Sequence, residues 1–236
     1  MAWIFGDSFD FYAAIADAAA GHWDTAVSAS LSSTTRFGVG KSIRNDTGSS
    51  LTKAFGSNEA TVFAAVAHYR SGTLTGTTAD MVIGFRDGAT PQCTVVFESS
   101  GNIVLKSGSS GGTVIATYTG AFSQEQWNHF QIKVVINNTT GSIAVRKNGA
   151  TSDSFSATGL NTRGGTANNY ANALIIGAGS GAVVNNSVFD DLLVYSAAGA
   201  APNGRAPINV AANANAMTNP RLRITALLSP AAPWAR

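Results

Sequence analysis

The chain has one cysteine, three histidines and few charges, since Asp, Glu, Lys and Arg make up only 12% of its 236 residues. A single cysteine excludes an internal disulfide framework. Cys93 lies in the apolar run CTVVF, where it reads as a small buried hydrophobe. The formal net charge is +2 and no basic run builds the dense field that nucleic acid needs, so no nucleic-acid partner is expected. No apolar stretch reaches membrane-spanning length, and Ala13–Ala20 is interrupted by Asp17, so no membrane insertion is expected. The start, MAWIFGDSF, lacks a charged n-region and a long apolar h-region, which predicts synthesis without a signal peptide. Glu occurs only as Glu59, Glu98 and Glu125, each remote from other acids, and no serine nucleophile elbow is present. The missing acid–base pair points away from an enzyme.

Short strands and turns are abundant instead. In Gln126–Gly149, QWNHFQIKVVINNTTGSIAVRKNG, Ile132, Val134 and Ile136 alternate with Gln131, Lys133 and Val135. After the turn at Asn137–Gly141, Ile143 and Val145 continue the apolar face. Asn148-Gly149 supplies the positive dihedrals of a tight type I′ turn. Further strands are predicted at Met1–Asp10, Thr35–Arg44, Ser50–Phe55, Met81–Arg86, Thr94–Glu98, Ile103–Lys106, Val114–Tyr118, Ser154–Leu160, Ala173–Ile176 and Val188–Tyr195. Glu59–Tyr69 is nearly all apolar, the pattern of a strand buried on both faces. Tyr12–Ala20, ended by Gly21, is the one predicted helix, of about two turns. So many short strands without βαβ alternation predict an all-β antiparallel sandwich or jelly roll. This domain spans residues 1–196. Residues 197–236, rich in Ala, Asn and Pro, read as an extended C-terminal arm for docking or assembly.

With the strands placed, FSQEQWNHFQIKVVINNTTGSIAVRKNG resembles the central signature of concanavalin A-like lectin and laminin G-like jelly rolls: a Trp, a polar pair, an alternating strand, a Thr-Gly turn and a strand ending in Asn-Gly. ALIIGAGSGAVVNNSVFDDLLVY is similar to the closing pattern of the same superfamily. GDSFDFY, RFGVGKSIRN and FDDLLVYSAAGAAPNG, followed by NPRLRITALLSP, resemble jelly-roll proteins of tailed-bacteriophage particles. The resemblance implies that the first and last strands pair, bringing Phe5–Phe9 beside Phe189–Tyr195. It also implies a non-enzymatic structural role in a virion, as a tail or fibre component or an accessory capsid protein. Other virion proteins, a homo-oligomer and a host-surface glycan are the implied partners. The alternative is a lectin-like module acting as host receptor-binding protein, and a jelly-roll glycoside hydrolase is a remote third reading.

Carbohydrate recognition needs an aromatic platform beside amides, and Asn168-Asn169-Tyr170 in the long polar loop Asn161–Asn172 fits that description. The bland reading is an ordinary Asn-rich loop. Assembly is assigned to Leu222, Ile224, Leu227 and Trp234 in the arm. Asp190 and Asp191 would meet Asp7 and Asp10 if the terminal strands pair, which makes them weak calcium candidates. The favoured reading is that these acids bind backbone amides and hydroxyls, with no cofactor. As strand neighbours, Asp190 and Asp191 are expected on opposite faces, unable to share a substrate. Trp127 is expected in the core with His129 on the same side of its strand, and Trp23 and Phe37 are expected to cover one end.

Overall fold

The computed structural model describes residues 2–20, 22–44, 46, 48–73, 78–178 and 187–197. Its elements are β1 (Ala2–Asp7), α1 (Ile15–Ala19), β2 (Thr25–Val27), β3 (Ser30–Ser32), β4 (Ser42–Arg44), β5 (Ser50–Glu59), β6 (Thr61–Arg70), β7 (Ala79–Asp87), β8 (Thr90–Glu98), β9 (Ile103–Ser107), β10 (Val114–Tyr118), β11 (Trp127–Val135), β12 (Gly141–Lys147), β13 (Phe155–Leu160), β14 (Ala171–Gly177) and β15 (Ser187–Ser196). They form two antiparallel sheets, the jelly-roll sandwich predicted from strand spacing. The front sheet runs β13-β12-β11-β6-β15-β4-β3, with β1 paired to the remaining length of β15. The back sheet runs β10-β9-β8-β7-β14-β5-β2.

The period-2 pattern determines which side chains meet between the sheets. Phe130, Ile132 and Val134 on β11 and Ile143 and Val145 on β12 enter the core from the front, as their alternation predicts. Ile83, Phe85, Val95, Phe97 and Leu174 enter from the back. Tyr118 of β10 stacks on Phe155 of β13, with ring centroids 5.4 Å apart, along one side of the sandwich. On the other side the chain passes from β2 in one sheet to β3 in the other. The terminal strands pair, Trp3 opposite Tyr195 and Asp7 opposite Leu192, and Phe9 meets Phe189 edge-on at 5.5 Å.

Several expectations need correction. The helix is one turn, because the Asp17 carboxylate folds back to accept the N–H groups of Ala13 and Ala14. Thr35–Arg44 is a strand only over Ser42–Arg44. Gly38 and Gly40 take φ of +74° and +86°, which breaks the extended run. Asn148 and Gly149 do have positive φ, +50° and +78°, yet β13 begins only at Phe155, so this connection is longer than a two-residue hairpin. β6 is central, between β11 and β15, but its two faces differ. Val62, Ala64 and Val66 lie in the core, whereas Phe63 and Tyr69 on the opposite face are half-buried.

Candidate functional site

The outer face of the front sheet carries the main concentration of chemistry among the described residues. Cross-strand register defines its rows, since directly opposed residues point the same way. Trp127, Tyr69 and Val188 form the first row, and His129, Ala67 and Asp190 the second. Gln131, Ala65 and Leu193 form the third, with Arg146 beside Gln131. Lys133, Phe63 and Tyr195 form the fourth. Rings stand at both ends. Tyr69 and Trp127 lie 5.5 Å apart at one, while Trp3 meets Tyr195 edge-on at 5.4 Å at the other. The Lys133 ammonium lies 5.8 Å from the centroid of Phe63. Six strand residues from Phe63 to Tyr69 separate these groups by about 20 Å, and β11 and β15 stand about 10 Å apart across β6. Between them Ala65 and Ala67 are buried, and the Arg36 segment covers the row of His129, Ala67 and Asp190.

Trp127 therefore lies half-buried on this outer face instead of in the core, because the residues facing inward on β11 are Asn128, Phe130, Ile132 and Val134. His129 does share its side, as expected. It is buried, its backbone N–H donates to Asn148 Oδ1 at 2.8 Å, and its Nδ1 has no hydrogen-bond partner. Burial, and then the Arg36 charge, lower its pKa to about 4, so the ring is neutral at pH 7.

Asp190 and Asp191 depart from the sequence expectation. β15 has a register shift between Asp190 and Leu193, and Asp191 takes φ of +51°. The bulge inserts one residue and re-aims the side chains, so strand alternation fails there. Both carboxylates reach one residue: the backbone N–H of Arg36 donates to Asp190 Oδ2 at 3.4 Å and its Nη1 to Asp191 Oδ2 at 3.2 Å. Burial, followed by the Asp191 charge, raises the Asp190 pKa to about 8, against the pull of the Asp191 and Arg36 N–H groups. At neutral pH Asp190 is thus a protonated acid beside Asp191, which pairs with Arg36. Asp190 is only 3% exposed beneath that loop.

The other terminal acids are similarly occupied. Asp7 accepts from the Phe9 N–H at 2.8 Å, the Tyr12 hydroxyl at 2.6 Å and Trp23 Nε1 at 2.7 Å. Among the described residues no three His, Cys, Asp or Glu gather to hold a metal ion. Trp23 is buried as expected, but Phe37 is exposed, held over the surface with the Arg36 guanidinium 5.0 Å from its ring.

The predicted loop trio belongs to a braced cluster at the ends of β7, β8 and β14, central strands of the back sheet. Asp87 accepts from Thr166 Oγ1 and Asn168 Nδ2, each at 2.8 Å, and from Asn172 Nδ2 at 3.3 Å. Gln92 Nε2 donates to Thr166 Oγ1 and the Asn168 carbonyl, and Arg163 Nη1 to Asn169 Oδ1. Asn168 and Asn169 are exposed and Tyr170 is half-buried. Leu222, Ile224, Leu227 and Trp234 lie outside the described residues. Sequence reasoning missed the outer-face site because its members come from five separate strands, β1, β6, β11, β12 and β15. Only the equal spacing of Trp127, His129, Gln131 and Lys133 marked a shared face.

No protein-family model and no curated protein matches this sequence. Solved structures do. A cellulose-induced protein, Cip1, aligns with a TM-score of 0.52 at 14% identity, covering 72% of this chain and 85% of that one. The catalytic domain of a glycoside hydrolase family 131 protein from Coprinopsis cinerea aligns at 0.48 and 11% identity, covering 83% and 95%. A carbohydrate-binding module, CBM66 from Bacillus subtilis, aligns at 0.44 and 12% identity, covering 73% and 94%. At such identities the likeness to Cip1 is one of fold, and it places this chain among the jelly-roll β-sandwiches.

Proposed function

We propose that this chain is a non-catalytic carbohydrate-binding jelly-roll module, displayed on a phage-type particle, that receives an oligosaccharide along the outer face of its front sheet. One observation carries the reading: two aromatic groups about 20 Å apart share the outer face of the front sheet with the solvent-reaching polar side chains Gln131, Lys133 and Arg146. Sugar rings stack on aromatic faces, and their hydroxyls require donors and acceptors set between them. The likeness to carbohydrate-binding modules accords with this use of the fold. Catalysis is not proposed. Asp190, held protonated at neutral pH, is tucked beneath Arg36, where it cannot reach a glycosidic oxygen.

The virion setting rests on the resemblance of the chain ends to phage jelly-roll proteins. The pairing of β1 with β15, which the same resemblance implied for the jelly roll, bears on the fold alone. Attachment is assigned to residues 197–236, whose deletion should leave a folded sandwich that no longer joins the particle.

Host-surface polysaccharides on an array, followed by titration calorimetry, test the binding. Tyr69→Ala and Trp127→Ala should each weaken affinity about tenfold or more, the loss typical of a truncated aromatic anchor. Their thermal midpoints should stay near that of the parent. Binding lost instead through Asn168→Ala or Tyr170→Ala would move the site to the braced loop. No binding to any polysaccharide would overturn the carbohydrate reading, and sugar release would overturn its non-catalytic part.

A further inference from the structure

The charge of this chain is divided along its length. All thirteen acids and eleven of the fifteen cations lie in residues 1–196, leaving that part at −2. The last forty residues carry Arg205, Arg221, Arg223 and Arg236 and no acid. In NPRLRITALL, Arg221 and Arg223 alternate with Leu222 and Ile224, so an extended backbone would put the guanidinium groups on one side and the apolar chains on the other.

The sandwich, of opposite net charge, presents an exposed apolar surface. Among the described residues, three of the exposed large hydrophobics lie in two apposed loops: Phe11 at 85%, Phe37 at 52% and Val39 at 50% exposure. The loops touch where Asp10 meets Gly40. A Cβ built on Gly40, whose φ is +86°, would fall onto the Asp10 carboxylate, so only glycine allows that approach. Asp190 and Asp191 lie under the same loop through Arg36, and Asp10 is close enough to act electrostatically on Asp190. Asp191 pairs with Arg36, Asp190 is buried beneath it, and Asp10 abuts Gly40 beside this exposed apolar surface.

We propose that residues 221–228 of the same chain dock on the Phe11–Phe37–Val39 surface, with Leu222 and Ile224 against the exposed apolar side chains and Arg221 and Arg223 toward solvent. Reach favours the chain's own segment. Twenty-four residues join Ala197 to Arg221, enough to span about 80 Å when extended. The patch lies near Asp190, only six residues back along β15, or about 20 Å from Ser196. A tether so much longer than its span holds the segment at an effective concentration on the order of millimolar, which a separate copy in dilute solution does not match. Assembly through the same segment would then proceed by exchange with a neighbour's patch, the route of domain swapping.

Engineered disulfides in the full-length protein test this cleanly. Cys93 is fully buried and its thiol pKa is pushed up by burial, so it does not compete. Ile224→Cys is combined in turn with Phe11→Cys, Phe37→Cys and Val39→Cys. The control pairs it with Val114→Cys, 52% exposed on β10 at the far edge of the back sheet. After mild oxidation at micromolar concentration, at least one patch pair should form an intramolecular disulfide in a monomer, at tenfold or greater yield than the control. Disulfides between copies would overturn the own-chain occupant. Yields no higher than the control for all three pairs would overturn the patch as docking surface. Hydrogen exchange gives a second reading without cysteines. Exchange over residues 221–228 should quicken about tenfold in full-length Phe37→Asp, and unchanged exchange in a folded variant would also overturn the proposal.

Discussion

Replacing Asp80 by Ala is expected to destabilise the fold by about 3–5 kcal/mol, the usual cost of stranding one member of a buried ion pair. Asp80 is the second residue of β7 in the back sheet and accepts from Nη1 of Arg70, the last residue of β6 in the front sheet. Their side chains are only 1% and 4% exposed. Among the described residues the guanidinium has one other acceptor, the Thr73 carbonyl at 3.3 Å from Nη2, and its Nε has none. Burial lowers the Arg70 pKa, the mark of a cation poorly served by solvent. Without Asp80 the charge must draw in water or pull β6 from β7, and either loosens the point where one sheet hands over to the other. Urea unfolding should show the loss, with a thermal midpoint about 10 °C lower for a domain of this size. The double variant Arg70→Met, Asp80→Leu should recover most of it, because apolar packing replaces two desolvated charges. A loss under about 1 kcal/mol in the single variant would mean that solvent reaches the pair.

Stability should peak near pH 6.5 and fall on both sides. His68 is fully buried, its ring 5.0 Å from that of Phe97 and 4.8 Å from that of Phe122, with Nε2 2.8 Å from Ser187 Oγ. Burial, and then the Arg70 charge, lower its pKa to about 3, while His129 titrates at about 4. Both lie below the ordinary histidine value of about 6.5. Below that pH the unfolded chain binds protons that the folded protein refuses, so stability is lost as pH falls toward 3, at up to about 1.4 kcal/mol per pH unit per histidine. Asp190 acts in the opposite sense. Its folded pKa of about 8 lies above the unfolded value of about 3.9, so its contribution is complete below pH 4 and disappears as pH rises to 8. Between pH 4 and 6.5 Asp190 offsets one histidine and the other leaves a net acid loss. Between pH 6.5 and 8 Asp190 acts alone. Urea midpoints across pH 4–9 should trace this arch. Asp190→Asn should flatten the alkaline limb and His129→Gln should weaken the acid one. An alkaline limb unchanged in Asp190→Asn would show that Asp190 is already ionised at neutrality.

How far these features were legible depends on how local their causes are. Ile132, Val134, Ile143 and Val145 could be assigned to the core from alternation, because side-chain direction in a regular strand follows from position alone. Asp190 and Asp191 could not, since one extra residue in β15 reverses that rule and no residue type announces a bulge there. Phe37 was assigned to the end of the sandwich, yet the positive φ of Gly38 and Gly40 turns its segment out of strand geometry and leaves the ring exposed. Trp127 was assigned to the core for its size, although its own alternation with Phe130 and Ile132 already placed it on the opposite face.

The sequence by itself determined the class of architecture and the faces of the regular strands, which follow from a period of two residues and from turn chemistry; the pairing expected of the chain ends came from the family resemblance. Tertiary structure alone decided which strands became neighbours. His129, Ala67 and Asp190 come from positions far apart in the chain, and only the register of β11, β6 and β15 sets them in one row. The same register put Tyr69 beside Trp127, and the bulge in β15 brought two carboxylates to Arg36. Register and bulges depend on how whole sheets pack, so the surface proposed for recognition became visible only once the strands were in place.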